Sequence, residues 1–178
     1  MSNRIIFANS ISFIAAVFLA VSCVVKERRL IYFFQLCECI ILLFAQLVFG
    51  QGAAAVSLML GVVRNLLLWR GKYRAVSAAL VFVFTLILGA LFNTGGYVGF
   101  IPIIASLIFA LSSYFAKTYI KVKLSLLINL SLWTVYSFVI FDLASFFVNL
   151  ISMLLNSISL VRFLSKRNRE DGEKHKLL

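Results

Sequence analysis

The sequence predicts an all-α fold, a polytopic transmembrane bundle of seven helices. Three observations predict it. The 178 residues are 63% hydrophobic and only 13% charged, more apolar surface than a soluble domain of this length can bury. Seven apolar stretches fill the chain almost end to end. Each is near the roughly 20 residues that cross a hydrocarbon core about 30 Å thick. Lysines and arginines sit in every second gap between the stretches.

The first stretch, Ile5 to Val25, is long and is followed at once by Lys26-Glu27-Arg28-Arg29. A basic flank after the apolar run suits an anchored span, not a cleaved signal peptide. The others are Leu30 to Phe49, Ala53 to Trp69, Ala75 to Phe92, Gly99 to Ala116, Leu124 to Phe141 and Ser145 to Leu164. Helices that satisfy their own backbone groups are the way such runs enter lipid. The chain therefore reads as one transmembrane domain, 1–164, followed by a basic tail, 165–178, whose polar composition predicts disorder.

The formal net charge of +11 does not point to nucleic acid, because of where it lies. Lys26, Arg28 and Arg29 separate stretches one and two; Arg70, Lys72 and Arg74 separate three and four; Lys117, Lys121 and Lys123 separate five and six. More basic residues, from Arg162 to Lys176, end or follow the seventh stretch. The gaps 50–52, 93–98 and the one at Asp142 carry no Lys or Arg. Basic loops stay cytoplasmic, so the N-terminus is expected outside and the C-terminus inside, with Arg4 as one tolerated exception. The basic faces would attract anionic lipid headgroups.

The first three and last three stretches then share one orientation, and the fourth restores it. That is a 3+1+3 parallel repeat, about 5–69 and 99–164 with a linker helix at 75–92. A shift of 91 residues pairs Lys26 with Lys117, Glu38 with Asn129, Gly61 with Ser152 and Asn65 with Asn156.

Polar residues inside a span mark its sheltered side. Ser145, Asn149, Ser152, Asn156 and Ser159 recur at steps of three and four, one helix face. Ser125, Asn129, Trp133 and Tyr136 share a face in the sixth stretch; Gln35, Glu38 and Gln46 in the second; Ser57, Gly61, Arg64 and Asn65 in the third. Such stripes serve either helix contacts or a wet cavity. Glu38 and Arg64 lie deep in neighbouring spans, and a pair between them would avoid two isolated charges in low dielectric. Pro102, the single proline, serves either as a hinge or as a first-turn residue. Cys23, Cys37 and Cys39 have no zinc or redox spacing and read as small apolar filler.

The stretch Glu27-Arg28-Arg29 followed by Gln35-Leu36, the region from Gly50 ending Val63-Arg64-Asn65, the Ile101-Pro102-Ile103-Ile104 opening and the close from Asn156 to Arg162-Phe163 resemble the YgjV family of small bacterial inner-membrane proteins. The resemblance runs from roughly residue 10 to 165 and implies a multi-pass protein of the bacterial inner membrane. In layout that family is similar to the SWEET, PQ-loop and nicotinamide-riboside carrier group. The SWEET-like pattern implies a mid-membrane pocket with an aromatic residue on helix six, matched by Trp133, and asparagines on helices three and seven. Asn65 matches the former, and Asn149 or Asn156 the latter, with Asn156 nearer the centre by depth. The chain departs from that pattern. It lacks a proline in the first span and any Pro-Gln pair, and it adds Glu38 and Arg64, which argues against a neutral sugar.

The expected function is a small-solute carrier with Gln35, Glu38, Arg64, Asn65, Asn129, Trp133, Asn149 and Asn156 around the substrate and Pro102 as hinge. The alternative is a non-transporting partner subunit or sensor whose stripes are helix contacts. Enzymatic chemistry, a metal and a cofactor are not expected. The one histidine, His175, lies in the tail, and Glu38 is the one acidic residue deep in a span. A homo-oligomer is compatible with the sequence.

Overall fold

The computed structural model describes the backbone of residues 3–176 and the side chains of 3–166. Among the described residues the fold is all helical, with seven helices and no strand. These are α1 (Asn3–Val24), α2 (Arg28–Phe49), α3 (Gly52–Trp69), α4 (Ala75–Leu91), α5 (Phe100–Phe115), α6 (Tyr119–Val139) and α7 (Leu143–Lys176). Five are long and apolar enough to cross a membrane: α1, α2, α3, α6 and the Leu143–Lys166 part of α7. The apolar α4 and α5 are shorter, at 17 and 16 residues. The backbone of α7 stays helical to Lys176, where composition predicts a disordered tail. His175 lies outside the described side chains.

Six helices form a ring. Each packs on its sequence neighbours, from α1 to α2 to α3 and from α5 to α6 to α7; α3 against α5 and α1 against α7 close the circle. The remaining helix, α4, lies outside against α3 and α5. Its buried residues are Val81, Thr85 and Gly89, one per turn. A Cβ on Gly89 would stand 2.8 Å from an Ile103 carbon, so glycine lets α4 approach α5. On α1 the buried stripe is mostly small, with Ala8, Ser12, Ala15, Ala16, Ser22 and Cys23. Small side chains let helices approach closely where lipid supplies no hydrophobic drive. Large apolar residues instead point outward, among them Phe7, Phe13, Phe44, Phe84 and Leu154.

Three helices end in the same way. In α3 the end is at Gly71, with φ 68°; its N–H donates to Leu68 O at 3.1 Å, and Lys72 N–H to Leu67 O at 2.8 Å. Two further hairpins repeat the pattern. In α2–α3, Gly50 has φ 78°; its N–H donates to Leu47 O at 3.1 Å, and Gln51 N–H to Gln46 O at 3.0 Å. In α6–α7, Phe141 has φ 59°; its N–H donates to Phe138 O at 3.3 Å, and Asp142 N–H to Ser137 O at 3.0 Å. All three are Schellman ends, with a left-handed residue satisfying the last carbonyls. Gly50 and Phe141 are themselves related by the 91-residue shift.

Three expectations change at the helix ends. Lys123 is no loop cation: α6 begins at Tyr119, capped by Thr118, and Lys123 is wholly buried. Its ammonium donates to the carbonyls of Ser22 and Cys23 at the end of α1 and lies 5.3 Å from the Tyr119 ring centre. A cation there opposes the negative end of the α1 dipole. Arg4 does the same for α2 through a hydrogen bond to Val48 O. Pro102 is the third residue of α5, a first-turn position where the missing N–H costs no intrahelical bond.

Candidate functional site

Between the ring helices lies a small, partly open cavity lined by every helix but α4. It offers about 40 Å³ to the centres of water-sized molecules, room for a few waters. From α2 come Gln35, Glu38 and Cys39; from α3, Ser57, Gly61, Arg64 and Asn65. Opposite stand Asn129 and Trp133 on α6 and Ser145 and Asn149 on α7; α5 adds Ser106 and Phe109, and α1 adds Leu19. Part of each polar stripe of α2, α3, α6 and α7 reaches this cavity, while apolar faces meet the outside.

Seven of the eight residues expected at a substrate site share this cavity: Gln35, Glu38, Arg64, Asn65, Asn129, Trp133 and Asn149. Asn156 does not. It is fully buried elsewhere and donates from Nδ2 to Lys123 O at 2.8 Å. The reason is hairpin register. Trp133 and Asn149 stand equally far along the chain from Phe141, so they are level across α6 and α7. Asn156 is two turns further from that bend and meets the start of α6 instead.

Glu38 and Arg64 do not form the expected ion pair, since no nitrogen–oxygen contact within 4.0 Å joins them. A chain of hydrogen bonds connects them instead. Arg64 Nε donates to Asn65 Oδ1 at 3.3 Å. Asn65 Nδ2 donates to Cys39 Sγ at 3.4 Å. Cys39 Sγ donates to Glu38 Oε2 at 3.4 Å. Every donor points the same way, from guanidinium toward carboxylate. The Arg64 guanidinium carbon lies 4.3 Å from the centre of the Phe109 ring, a cation–π contact. Gly61 lies beside this arrangement: a Cβ there would make ordinary contacts, 3.4 Å to Cys39 Sγ and 3.7 Å to Arg64 Nη2.

Several polar groups face the cavity without protein partners among the described residues. Gln35 Oε1 and Ser57 Oγ are buried and unbonded. Asn129 and Asn149 line the space and take part in none of the hydrogen bonds of the bundle. Buried polar atoms left unbonded, as Gln35 Oε1 and Ser57 Oγ are, are uncommon, and with the two amides beside them they mark a place for something polar.

A second network runs from the cavity to the Asp142 end. Trp133 packs edge-on to Tyr136, with ring centres 5.5 Å apart. Tyr136 Oη donates to Gln46 Oε1 at 3.4 Å, and Gln46 Nε2 to Asp142 Oδ2 at 3.4 Å. Ser12 Oγ from α1 donates to the same oxygen at 3.1 Å, and Ser145 N to Oδ1 at 3.1 Å. Asp142 thus caps α7 and ties it to α1 and α2. Burial pushes its carboxyl above the usual carboxylate range, while the Ser145 and Ser12 bonds oppose the shift.

The family model described as a bacterial inner membrane protein, Imp-YgjV, matches residues 6–167. The chain belongs to that family. No curated protein and no solved structure matches this YgjV-family chain. Family membership and the apolar helices make it an integral membrane protein.

Sequence reasoning passed over Cys39 and Asp142. Cys39 has the size of apolar filler, and only its contacts with Asn65 and Glu38 reveal it as a link. Asp142 did carry a signal: it stands three residues before Ser145 at the head of an apolar run, the N-cap pattern.

Proposed function

We propose that this YgjV-family protein is a small-solute carrier whose substrate sits in the cavity between the ring helices. The observation that carries the reading is the buried, unbonded Gln35 Oε1 and Ser57 Oγ together with the amides of Asn129 and Asn149, all lining one interior space beside Trp133. Mostly apolar pockets with a few convergent polar groups are the usual form of small-molecule sites. An aromatic wall supplies contact area, and amides supply orientation.

The 3+1+3 plan belongs to the same proposal. Replacing α1, α2 and α3 by α5, α6 and α7 leaves the pattern of neighbours in the ring unchanged, and the matched Gly50 and Phe141 turns fall at equivalent points. All seven helices would span the membrane, with the N-terminus outside because the basic gaps stay cytoplasmic. Rocking of the two three-helix units would widen the narrow cavity toward one side at a time.

The test is uptake by proteoliposomes from pools of labelled sugars, amino acids, nucleosides and small organic ions. One class should enter faster than into protein-free vesicles. Trp133→Ala should lower that flux about tenfold or more if ring contact contributes at least ~1.4 kcal/mol. Folded, monodisperse protein that moves nothing from any pool would overturn the reading. The second reading, a partner subunit or sensor, is favoured by the small size of the cavity, and a stoichiometric copurifying membrane protein would support it.

A further inference from the structure

The two charges at the cavity define what would complete it. Arg64 is buried, with its guanidinium carbon 4.3 Å from the centre of the Phe109 ring and its Nε donating to Asn65 Oδ1. The edge formed by its two terminal nitrogens makes no hydrogen bond among the described residues. Glu38 receives one bond, from Cys39 on Oε2, and Oε1 receives none. Both side chains line the same space without touching. Two opposite charges facing one narrow cavity without an ion-pair partner are each incompletely compensated, and a buried charge left without its partner is strongly destabilising.

We propose that the substrate is a small zwitterion of the α-amino-acid type, an inference that rests on the carrier reading. Its carboxylate would take the free edge of Arg64, where the planar fork offers two parallel N–H donors. Its ammonium would take Glu38 Oε1 and the unpartnered Gln35 Oε1. A zwitterion neutralises both residues and adds no net charge to the membrane interior. A simple anion meets Arg64 and leaves Glu38 exposed; a simple cation does the reverse. A neutral sugar offers neither charge a partner.

The directional chain through Asn65 and Cys39 strengthens the same preference. Its aligned donors keep the positive end at α3 and the negative end at α2, so the binding field is a fixed dipole. A ligand with separated charges has one orientation that matches it. The volume of about 40 Å³ favours the smallest members of the class, with the carbon skeleton turned toward Trp133.

The test uses purified full-length protein, with thermal shift in detergent and counterflow in proteoliposomes. The probes are glycine and L-alanine, with acetate, methylamine and glucose as single-feature controls. Glycine or L-alanine should raise the melting temperature and drive counterflow, while each control binds on the order of thirtyfold more weakly or worse. Glu38→Gln keeps the side-chain outline and should narrow the gap between alanine and acetate; Arg64→Lys should weaken both. Glucose flux that depends on Trp133, with no response to glycine or alanine, would overturn the zwitterion assignment and leave the carrier reading standing. No response to any of these probes, together with no uptake from the wider pools, would overturn both.

Discussion

Replacing Phe141 by glycine and by alanine, alongside Gly50→Ala, probes the turn that sets the register of the cavity. Phe141 has φ 59° and a largely exposed side chain, at 69%. A left-handed conformation costs an L-residue about 1–2 kcal/mol. Glycine avoids that strain but loses more backbone freedom on folding, about 0.5–1 kcal/mol relative to alanine. Phe141→Gly should therefore be more stable than Phe141→Ala by about 0.5–1 kcal/mol. Both variants lose the ring equally, so the difference isolates the backbone. Gly50→Ala should move the other way by a similar amount. Its new Cβ would stand 3.0 Å from Arg4 Nη2, and displacing that guanidinium from Val48 O would add to the loss. For a chain of this length each kcal/mol corresponds to about 2–4 °C in Tm. The assay is thermal unfolding of purified protein in one detergent at fixed concentration. If Phe141→Gly melts no higher than Phe141→Ala, and Gly50→Ala melts like the parent, the matched Schellman ends are wrong. The placement of Asn149 level with Trp133 would then fall with them.

Two further predictions concern the ends of the bundle. The Asp142 carboxyl is raised by burial, so the folded state holds its proton more tightly than the unfolded chain does. Its contribution to stability is full below the ordinary value of 3.8 and is lost as pH rises through the folded value. Asp142→Asn keeps a capping oxygen for Ser145 N and should flatten this fall in Tm with pH; an unchanged slope would assign it to another group. For orientation, Tyr97→Cys places a thiol at a position 95% exposed, and a membrane-impermeant maleimide should label it in intact cells. Lys72→Cys, in a basic gap, should label only after lysis, with the parent protein reporting the background of its native cysteines. The opposite pattern would reverse the proposed topology.

The inward stripes were legible because cost decides them: an asparagine or arginine facing lipid is expensive, and helical spacing says which side it takes. That logic located seven residues of the cavity without any distance information. It did not give pairing. Glu38 and Arg64 were expected to touch because α2 and α3 are neighbours, but adjacency fixes only that they face a common space. Asn65 and Cys39 fill the gap between them. The choice between Asn149 and Asn156 failed for a related reason. Depth counted from the centre of an apolar run ignores where the chain turns, and the bend at Phe141 sets the level of each residue. Lys123 was misread because the apolar run begins after it, although Thr118 already marks the start of α6.

An amide has one accepting end and one donating end, and at Asn65 the neighbours claim one of each. Turning the group round would set nitrogen against guanidinium and leave oxygen beside the sulfur. Aspartate has the same outline and no donor. At position 65 it would hold Arg64 in place yet silence the connection to Cys39, so shape alone does not qualify a side chain for this seat.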